Sequence, residues 1–189
     1  MHNIKTIQAM EILDSRSNPT IQVTVTTSHG SGISSVPSGA STGIYEAKEL
    51  RDGGKRYGGL GVSKAIKNIH QKIFPKLKGK DASNQKKIDQ IMIDLDGYKD
   101  KRKLGANAIL AVSLACAKAA ANGNNIELYQ YLNDMSGSPK MKLPTPFFNV
   151  INGGRHADNS LSIQEFMIVP QFNSFKKNLQ AGSEIYHTL

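Results

Sequence analysis

Two glycine-containing loops carry the residues whose types and spacing could do chemistry. In the first loop, PSGASTG at residues 37–43, two glycines flank small hydroxyl side chains. Backbone amides and hydroxyl groups in such a loop can approach a phosphate or a metal ion closely. It is not a Walker phosphate loop, because neither Gly54-Lys55 nor Gly79-Lys80 is followed by Ser or Thr. Composition alone favours an ordinary surface loop, so this loop by itself assigns no function.

The second loop, NGGRHAD at residues 152–158, follows a predicted strand. Ligand sites in α/β folds lie at the carboxyl ends of strands, so His156 could meet a substrate there. Gln164 and Glu165 begin the next predicted strand and place an amide and a carboxylate near the loop in sequence. A histidine with carboxylates also suggests a metal site, but the spacing from His156 to Asp158 fits none of the strong metal motifs. A hydrogen-bonded histidine in a turn explains these residues equally well.

The elements that precede these loops start with three short predicted strands. Residues 4–13 are strand-like and end in the turn-rich DSRSNP at 14–19. Ile21, Val23 and Val25 then alternate with polar residues, which is typical of a strand with one buried face. A turn at Gly30 leads into a third strand over 32–36. Connections this short predict an antiparallel meander, because parallel strands need a longer crossover.

Helical spacing takes over after the first loop. It covers residues 62–73, 88–95, 106–121 and 126–132. Pro75 is predicted to end the first of these helices, and Gly97 suits the C-terminal cap of the second. The third helix is apolar nearly all round, which predicts a buried central helix with Cys116 as a small core residue.

A change in composition at residues 135–146 predicts a linker. This stretch contains Gly137 and three prolines. Beyond it we expect strands over 147–151 and 166–169 and a helix over 175–189. The predicted organisation is therefore an α+β domain at 1–134, a linker at 135–146 and the start of a second, incomplete domain at 147–189.

Composition and charge narrow the class of protein. With 189 residues, 39% hydrophobic and 21% charged, the chain has ordinary globular composition, which excludes a fibre or a disordered tail. Lys and Arg outnumber Asp and Glu by 24 to 15, giving a net charge of +9. Trp is absent and the basic groups are not interleaved with aromatics, so solvated faces are favoured over a nucleic-acid site. The charge does favour an anionic ligand.

Cysteine usage and hydropathy bear on location. A single cysteine, Cys116, cannot form an internal disulfide, which favours a reducing compartment. The longest apolar run, 104–117, is too short to span a bilayer, and residues 1–10 contain no signal-peptide core. We therefore expect a cytoplasmic protein without a membrane span.

Several motifs in series resemble a known family. The first loop is followed by EA at 46–47 and ELRD at 49–52, and the second loop belongs to NVINGG at 149–154, with HA at 156–157 and QEFM at 164–167. The further motifs are DSR at 14–16, IMIDLDG at 91–97 and GANAILAVSLA at 105–115. In this order they resemble a bacterial-type enolase over nearly the whole chain. One departure is Ser17, where the family usually has glycine, which predicts a strained turn.

The resemblance implies a function and a set of site residues. Enolases interconvert 2-phosphoglycerate and phosphoenolpyruvate with two Mg²⁺ ions, a lysine base and a glutamate acid. On the family pattern, Ser41 supplies oxygen ligands to the second magnesium ion. His156 lies in a loop that closes over the substrate. Gln164 and Glu165 line the substrate site, with Glu165 near the leaving hydroxyl.

The resemblance also implies a fold and a truncation. The family has an α+β cap domain followed by a (β/α) barrel that opens β-β-α-α, and residues 147–189 match only the first elements of that barrel. A barrel needs about 200 residues or more. The catalytic acid and base and the ligands of the first magnesium ion are expected beyond this chain, so no catalytic residue is assigned within it. We expect the chain by itself to be inactive.

The ligands that the resemblance implies are 2-phosphoglycerate and phosphoenolpyruvate. It also implies that the complete enzyme is a homodimer or a larger homo-oligomer. Nucleic acid is not expected as a partner of the enzyme. The alternative is a truncated, non-catalytic fragment with a binding role, for example to nucleic acid through its basic faces. An additional role at the cell surface or in secretion is left open.

Overall fold

A computed structural model describes residues 1–39, 42–137 and 140–189 of the chain. They form two compact units, Met1–Gly137 and Ser138–Leu189.

The first unit begins with a three-stranded antiparallel sheet. The strands are β1 (Ile4–Leu13), β2 (Pro19–Thr27) and β3 (Ser31–Ser35), paired in the order β1-β2-β3. In β2, Ile21, Val23 and Val25 are buried while the polar residues between them are only half-buried. The predicted meander is confirmed, because period-2 alternation places every apolar residue of β2 on the core side.

Helices of the same unit pack on that side of the sheet and on one another. They are α1 (Ser63–Asn68), α2 (Phe74–Leu77), α3 (Gln85–Asp96), α4 (Ala106–Gly123) and α5 (Leu128–Ser136). The helix α4 packs on β2 and β3 so closely that a Cβ at Gly32 would lie 2.3 Å from backbone atoms of Ala115 and Ala119. The buried central helix is confirmed. Cys116 lies in its core, where burial raises the pKa of the thiol to about 12.

The prediction that Pro75 ends a helix is wrong. After α1, the backbone makes a π-helical turn at Ile69–Ile73 and then continues as α2 to Leu77. Pro75 is the second residue of α2 and follows the π-helical turn almost directly. The wide turn before it provides the room that a proline inside a regular α-helix lacks.

Two helix ends follow the glycine positions. Gly97 adopts a left-handed conformation with φ of 75° and ends α3, as predicted. The helix predicted over 126–132 is displaced to Leu128–Ser136. Its start is set by a capping box, in which the Gln130 side chain accepts from the Glu127 amide, and Gly137 ends it in the left-handed region.

The second unit consists of a hairpin and a helix. The strands β4 (Phe148–Asn152) and β5 (Glu165–Ile168) pair antiparallel, and α6 (Phe175–Thr188) follows them. Gly182 of α6 lies close to the ring of Phe148. A Cβ at Gly182 would come within 2.8 Å of the ring atoms. Within residues 140–189 as described, the large apolar side chains are exposed or half-buried, and Phe147 is 66% exposed.

Candidate functional site

Three of the predicted site residues meet in the second unit. Nδ1 of His156 lies 3.0 Å from Oε1 of Glu165, and the side-chain amide of Gln164 donates to Nε2 of His156 over 2.8 Å. His156 belongs to a short 3-10 turn at Gly154–His156, whereas Glu165 is the first residue of β5. The hairpin therefore joins one imidazole, one amide and one carboxylate.

The glycines of the second loop make this arrangement sterically feasible. The amide of Gly153 donates to the carbonyl of Gln164 at 2.9 Å, and a Cβ at Gly153 would lie 2.5 Å from the Ile163 carbonyl oxygen. Gly154 has φ of 56°, and its amide donates to the Leu161 carbonyl. Because Gly153 carries no side chain, the loop can fold back closely onto residues 161–164, which places His156 beside Gln164.

Asn159 is a contributor that sequence reasoning missed. Its side-chain amide donates to the Asn152 carbonyl at 2.9 Å, and its Oδ1 accepts from the Leu161 amide at 3.0 Å. One side chain thus ties the end of β4 to the loop segment that leads back to β5. The available signal was an asparagine in a turn-rich stretch, a residue type that readily bonds nearby backbone groups.

The contacts define what the cluster can do chemically. With the Gln164 amide donating to Nε2, the proton of a neutral imidazole lies on Nδ1 and is donated to the Glu165 carboxylate. His156 therefore orients the carboxylate. The side chains of His156 and Glu165 are 25% and 29% exposed, so both groups are accessible to a polar ligand. A carboxylate held in this way can accept a hydrogen bond or a proton from a substrate hydroxyl.

The first loop lies in the first unit. Ser41, the predicted magnesium ligand, lies outside the described residues. After it, the Gly43 amide donates to Glu46 Oε1 at 2.8 Å, and the Glu46 amide donates back to the Gly43 carbonyl at 3.2 Å. A cavity of about 960 Å³ lies between this segment and helices α3 and α4, with Ile93, Leu110 and Ser113 among its lining residues.

Four polar residues, which bond to one another on either side of residues 39–48, were given no role by the sequence analysis. The Arg51 guanidinium donates to Glu49 and to Ser38 Oγ, while Arg16 donates to the Ser38 carbonyl. The available signal was an arginine in each of two family motifs, DSR at 14–16 and ELRD at 49–52.

The part of the chain that the structure describes contains no complete metal site. Among residues 1–39, 42–137 and 140–189, no group of three or more His, Cys, Asp or Glu side chains is placed to hold a metal ion. Magnesium prefers several oxygen ligands, and the cluster of His156 and Glu165 offers one carboxylate. The described residues therefore do not fit a magnesium site of their own.

Comparison with known proteins identifies the family. The family model of the enolase N-terminal domain matches residues 4–132, and that of the enolase C-terminal TIM barrel domain matches residues 140–189. The chain belongs to the enolase family. The match to the barrel domain agrees with the β-β-α order of the second unit, so the expected α+β domain followed by the start of an enolase barrel is confirmed.

Individual enolases are similar along the whole chain. Enolase B of Dictyostelium discoideum is 56% identical over 189 residues, which cover 99% of this chain and 43% of that protein. The enolase of Methanothrix thermoacetophila is 56% identical over 187 residues, and that of Corynebacterium kroppenstedtii 52% identical over 192. These matches cover 98% and 100% of this chain and 44% of each relative. The chain thus spans less than half the length of the curated enolases it matches.

The helices also bear on whether the chain could cross a membrane. Among the helices in the described part of the chain, none is both long enough and apolar enough to cross a bilayer.

Proposed function

We propose that this chain supplies part of the substrate site of a phosphopyruvate hydratase, which dehydrates 2-phosphoglycerate to phosphoenolpyruvate. The observation that carries the proposal is the contact of His156 with both Gln164 and Glu165 at the end of the β4–β5 hairpin. These are the residues that the family pattern assigns to the substrate. Membership of the enolase family supports the reaction class.

In this proposal Glu165 faces the leaving hydroxyl of the substrate. Dehydration removes the proton at C2 and the hydroxyl at C3, so a group near C3 must tolerate developing charge on oxygen. The Nδ1 proton of His156 holds one oxygen of the Glu165 carboxylate, and Gln164 fixes the imidazole ring from its other nitrogen. Such a relay sets the orientation of the carboxylate before the substrate arrives.

The remaining parts of the proposal concern the complete enzyme. Ser41 is proposed to contribute oxygen ligands to one of two magnesium ions; since the described residues do not fit a metal site of their own, no step is assigned to the metal. A homodimer or larger oligomer and a cytoplasmic location are proposed from the family. Domain limits of 1–134 and 147–189 with a linker at 135–146 are also proposed; the boundary between the two units falls inside that linker, after Gly137, and α5 continues to Ser136.

A chimera tests the proposed activity. Residues 1–189 are continued with the remaining length of the Methanothrix thermoacetophila enolase, the relative that is 56% identical over the matched region. We expect the purified chimera to form phosphoenolpyruvate, measured by absorbance at saturating magnesium. A chimera that folds cooperatively but gives no turnover contradicts the proposal.

Two variants of the chimera test the site. His156→Ala and Glu165→Gln are expected to lower kcat/KM by about 100-fold or more, the scale of a lost positioning contact at the reacting centre, while the melting temperature stays within a few degrees. The matched controls are His187→Ala and Glu184→Gln on exposed positions of α6, which should keep normal kinetics. Unchanged kinetics in both site variants, or equal losses in the controls, would refute the assignment.

A further inference from the structure

The Arg51 side chain donates hydrogen bonds to several different residues at once. Its Nη1 donates to the carbonyls of Pro19 at 2.6 Å and Leu60 at 2.8 Å, which belong to separate segments of the first unit. Its Nε and Nη2 donate to the Glu49 carboxylate, at 3.0 and 2.5 Å, and Nη2 also reaches Ser38 Oγ at 3.3 Å. The side chains of Arg51 and Glu49 are only 20% and 30% exposed, so solvent screens this pair incompletely.

Ser38 is held from its other side as well. Nη2 of Arg16 donates to the Ser38 carbonyl at 2.7 Å, and Ser38 Oγ donates to Glu49 Oε2 at 3.3 Å. Arg16 is itself fixed by the Asp14 carboxylate, which accepts from the Arg16 amide at 2.8 Å. Ser38 is thus joined to Glu49 directly and through Arg51.

These contacts close a loop. Ser38 immediately precedes residues 39–48 and Glu49 immediately follows them, so the contacts join the two ends of a ten-residue segment that includes Ser41. A contact that joins two points of a chain lowers the conformational entropy of the chain between them. A planar guanidinium with five donors can bond four acceptors in fixed directions, which a lysine ammonium cannot do.

We propose that Arg51 is a positioning residue: together with Glu49, Ser38 and Arg16 it fixes both ends of the 39–48 loop. Arg51 is not a catalytic residue, since it acts on the loop through Ser38 and Glu49. The structural part of this inference stands on the contacts of the first unit alone. Its consequence for turnover rests on the proposed function.

Amide hydrogen exchange in the 189-residue chain tests the structural part. Two amides next to the joined ends are natural reporters: that of Lys48 donates to the Asp100 carbonyl at 2.7 Å, and that of Leu50 to Asn107 Oδ1 at 3.1 Å. In Arg51→Lys we expect both to exchange about tenfold faster or more, the scale of one lost charge-assisted hydrogen bond. Amides within α4 should exchange as before.

The matched control is Arg56→Lys. Arg56 also pairs with a carboxylate, that of Glu11, but it stands outside the 39–48 loop and its contacts. This variant should leave the Lys48 and Leu50 amides unchanged. A double variant with Glu49→Gln adds a second check, because two residues of one network should lose less together than the sum of their separate effects.

The kinetic arm uses the chimera described above. Arg51→Lys should lower kcat/KM about tenfold at an unchanged melting temperature, whereas Arg56→Lys should not. Exchange at Lys48 and Leu50 that is unaltered in Arg51→Lys, or that rises equally throughout α4, would overturn the positioning role. If the unaltered chimera is inactive, the proposed function fails, and the exchange result still decides the role of Arg51.

Discussion

Ser17 occupies the turn between β1 and β2 with φ of 61°, in the left-handed region that favours glycine. We expect Ser17→Gly to stabilise the chain by about 0.5 kcal/mol. The reason is that relief of about 1–2 kcal/mol of steric strain is partly offset by about 0.5–1 kcal/mol of extra chain entropy in the unfolded state. Urea unfolding followed by circular dichroism measures the difference.

The control for this prediction lies two residues earlier. Ser15 has no positive φ, so Ser15→Gly should destabilise by about 0.5–1 kcal/mol. Equal losses of stability in both variants would mean that the turn accommodates the serine without strain.

Glu11 makes the stability of the first unit depend on pH. The Arg56 guanidinium beside it holds the pKa of the Glu11 carboxyl below its ordinary value of 4.5, against the opposing effect of partial burial. A carboxyl with a lowered folded pKa stabilises the native state above the unfolded value, and this contribution is lost as the pH falls through the folded pKa. We therefore expect the unfolding free energy to decline below about pH 4.5.

Glu11→Gln isolates this contribution. The variant should be less stable than the parent at neutral pH, and the difference between them should shrink as the pH falls through the acid range. Denaturant titrations at a series of pH values measure it, with Glu184→Gln on exposed α6 as the matched control. A difference that stays constant with pH would show that Glu11 acts by packing alone.

At the scale of single residues, the sequence identifies candidate residues by their types and motifs, but it does not predict which of them contact one another. His156, Gln164 and Glu165 are candidates from their types and from the family pattern, and their roles stay predictions. Their mutual distances depend on how the loop folds back, which the close approach at Gly153 controls. The role of Arg51 could not be predicted from the sequence, because two of its hydrogen-bond acceptors are backbone carbonyls, which do not depend on the residue type.

Among the elements, the contact between β3 and α4 is the one most sensitive to side-chain size. A Cβ at Gly32 would collide with backbone atoms of the helix at 2.3 Å, and backbone cannot move aside as a flexible side chain can. We expect Gly32→Ala to destabilise the chain by about 3 kcal/mol. Thermal and urea unfolding of the variant measure this cost.

Ile33 supplies the comparison within the same strand. Its side chain is 53% exposed on the opposite face of the sheet, and Ile33→Thr keeps the β-branch that suits a strand. This variant should lose less than about 1 kcal/mol. A Gly32→Ala chain as stable as Ile33→Thr would mean that α4 can shift away from β3 at little cost.

Elements with a clear period are predictable, and their irregularities are not. The alternation in β2 and the apolar run of α4 correctly predict a strand and a buried helix, because burial imposes the same periods on sequence and structure. The prediction that Pro75 ends a helix fails because hydrophobic spacing cannot distinguish a π-helical turn from a regular helix. The helix continues beyond the proline after this wide turn. The linker over 135–146 stays a prediction.

For the whole molecule, the two units differ in how well they bury their apolar side chains. The buried apolar side chains of the described residues all lie within the first unit, on its strands and helices and on the segments that connect them. The second unit keeps Phe147, Phe166 and Leu179 exposed, although its loop is well hydrogen-bonded. Local hydrogen bonds alone contribute little net stability, so the second unit has much less to hold it folded.

Limited proteolysis should therefore distinguish the two units. In the 189-residue chain we expect cleavage first within residues 140–189, for example after Lys176 or Lys177, while a fragment close to Met1–Gly137 persists. Trypsin is a demanding probe, because most of the basic residues lie in the first unit and would be cut if it opened. A resistant second unit would show that its exposed apolar residues are covered in solution.

The same preparation tests whether the 189-residue chain can act by itself. We expect no phosphoenolpyruvate above background at saturating magnesium, because the described residues offer a metal ion no cluster of three ligands and the family pattern assigns the acid and the base to other positions. His156 and Glu165 can orient a substrate hydroxyl, but positioning alone does not remove a carbon-bound proton. The active chimera serves as the control for the assay. Turnover by the 189-residue chain would mean that the catalytic acid and base lie among these residues, which would overturn the assignment carried over from the family.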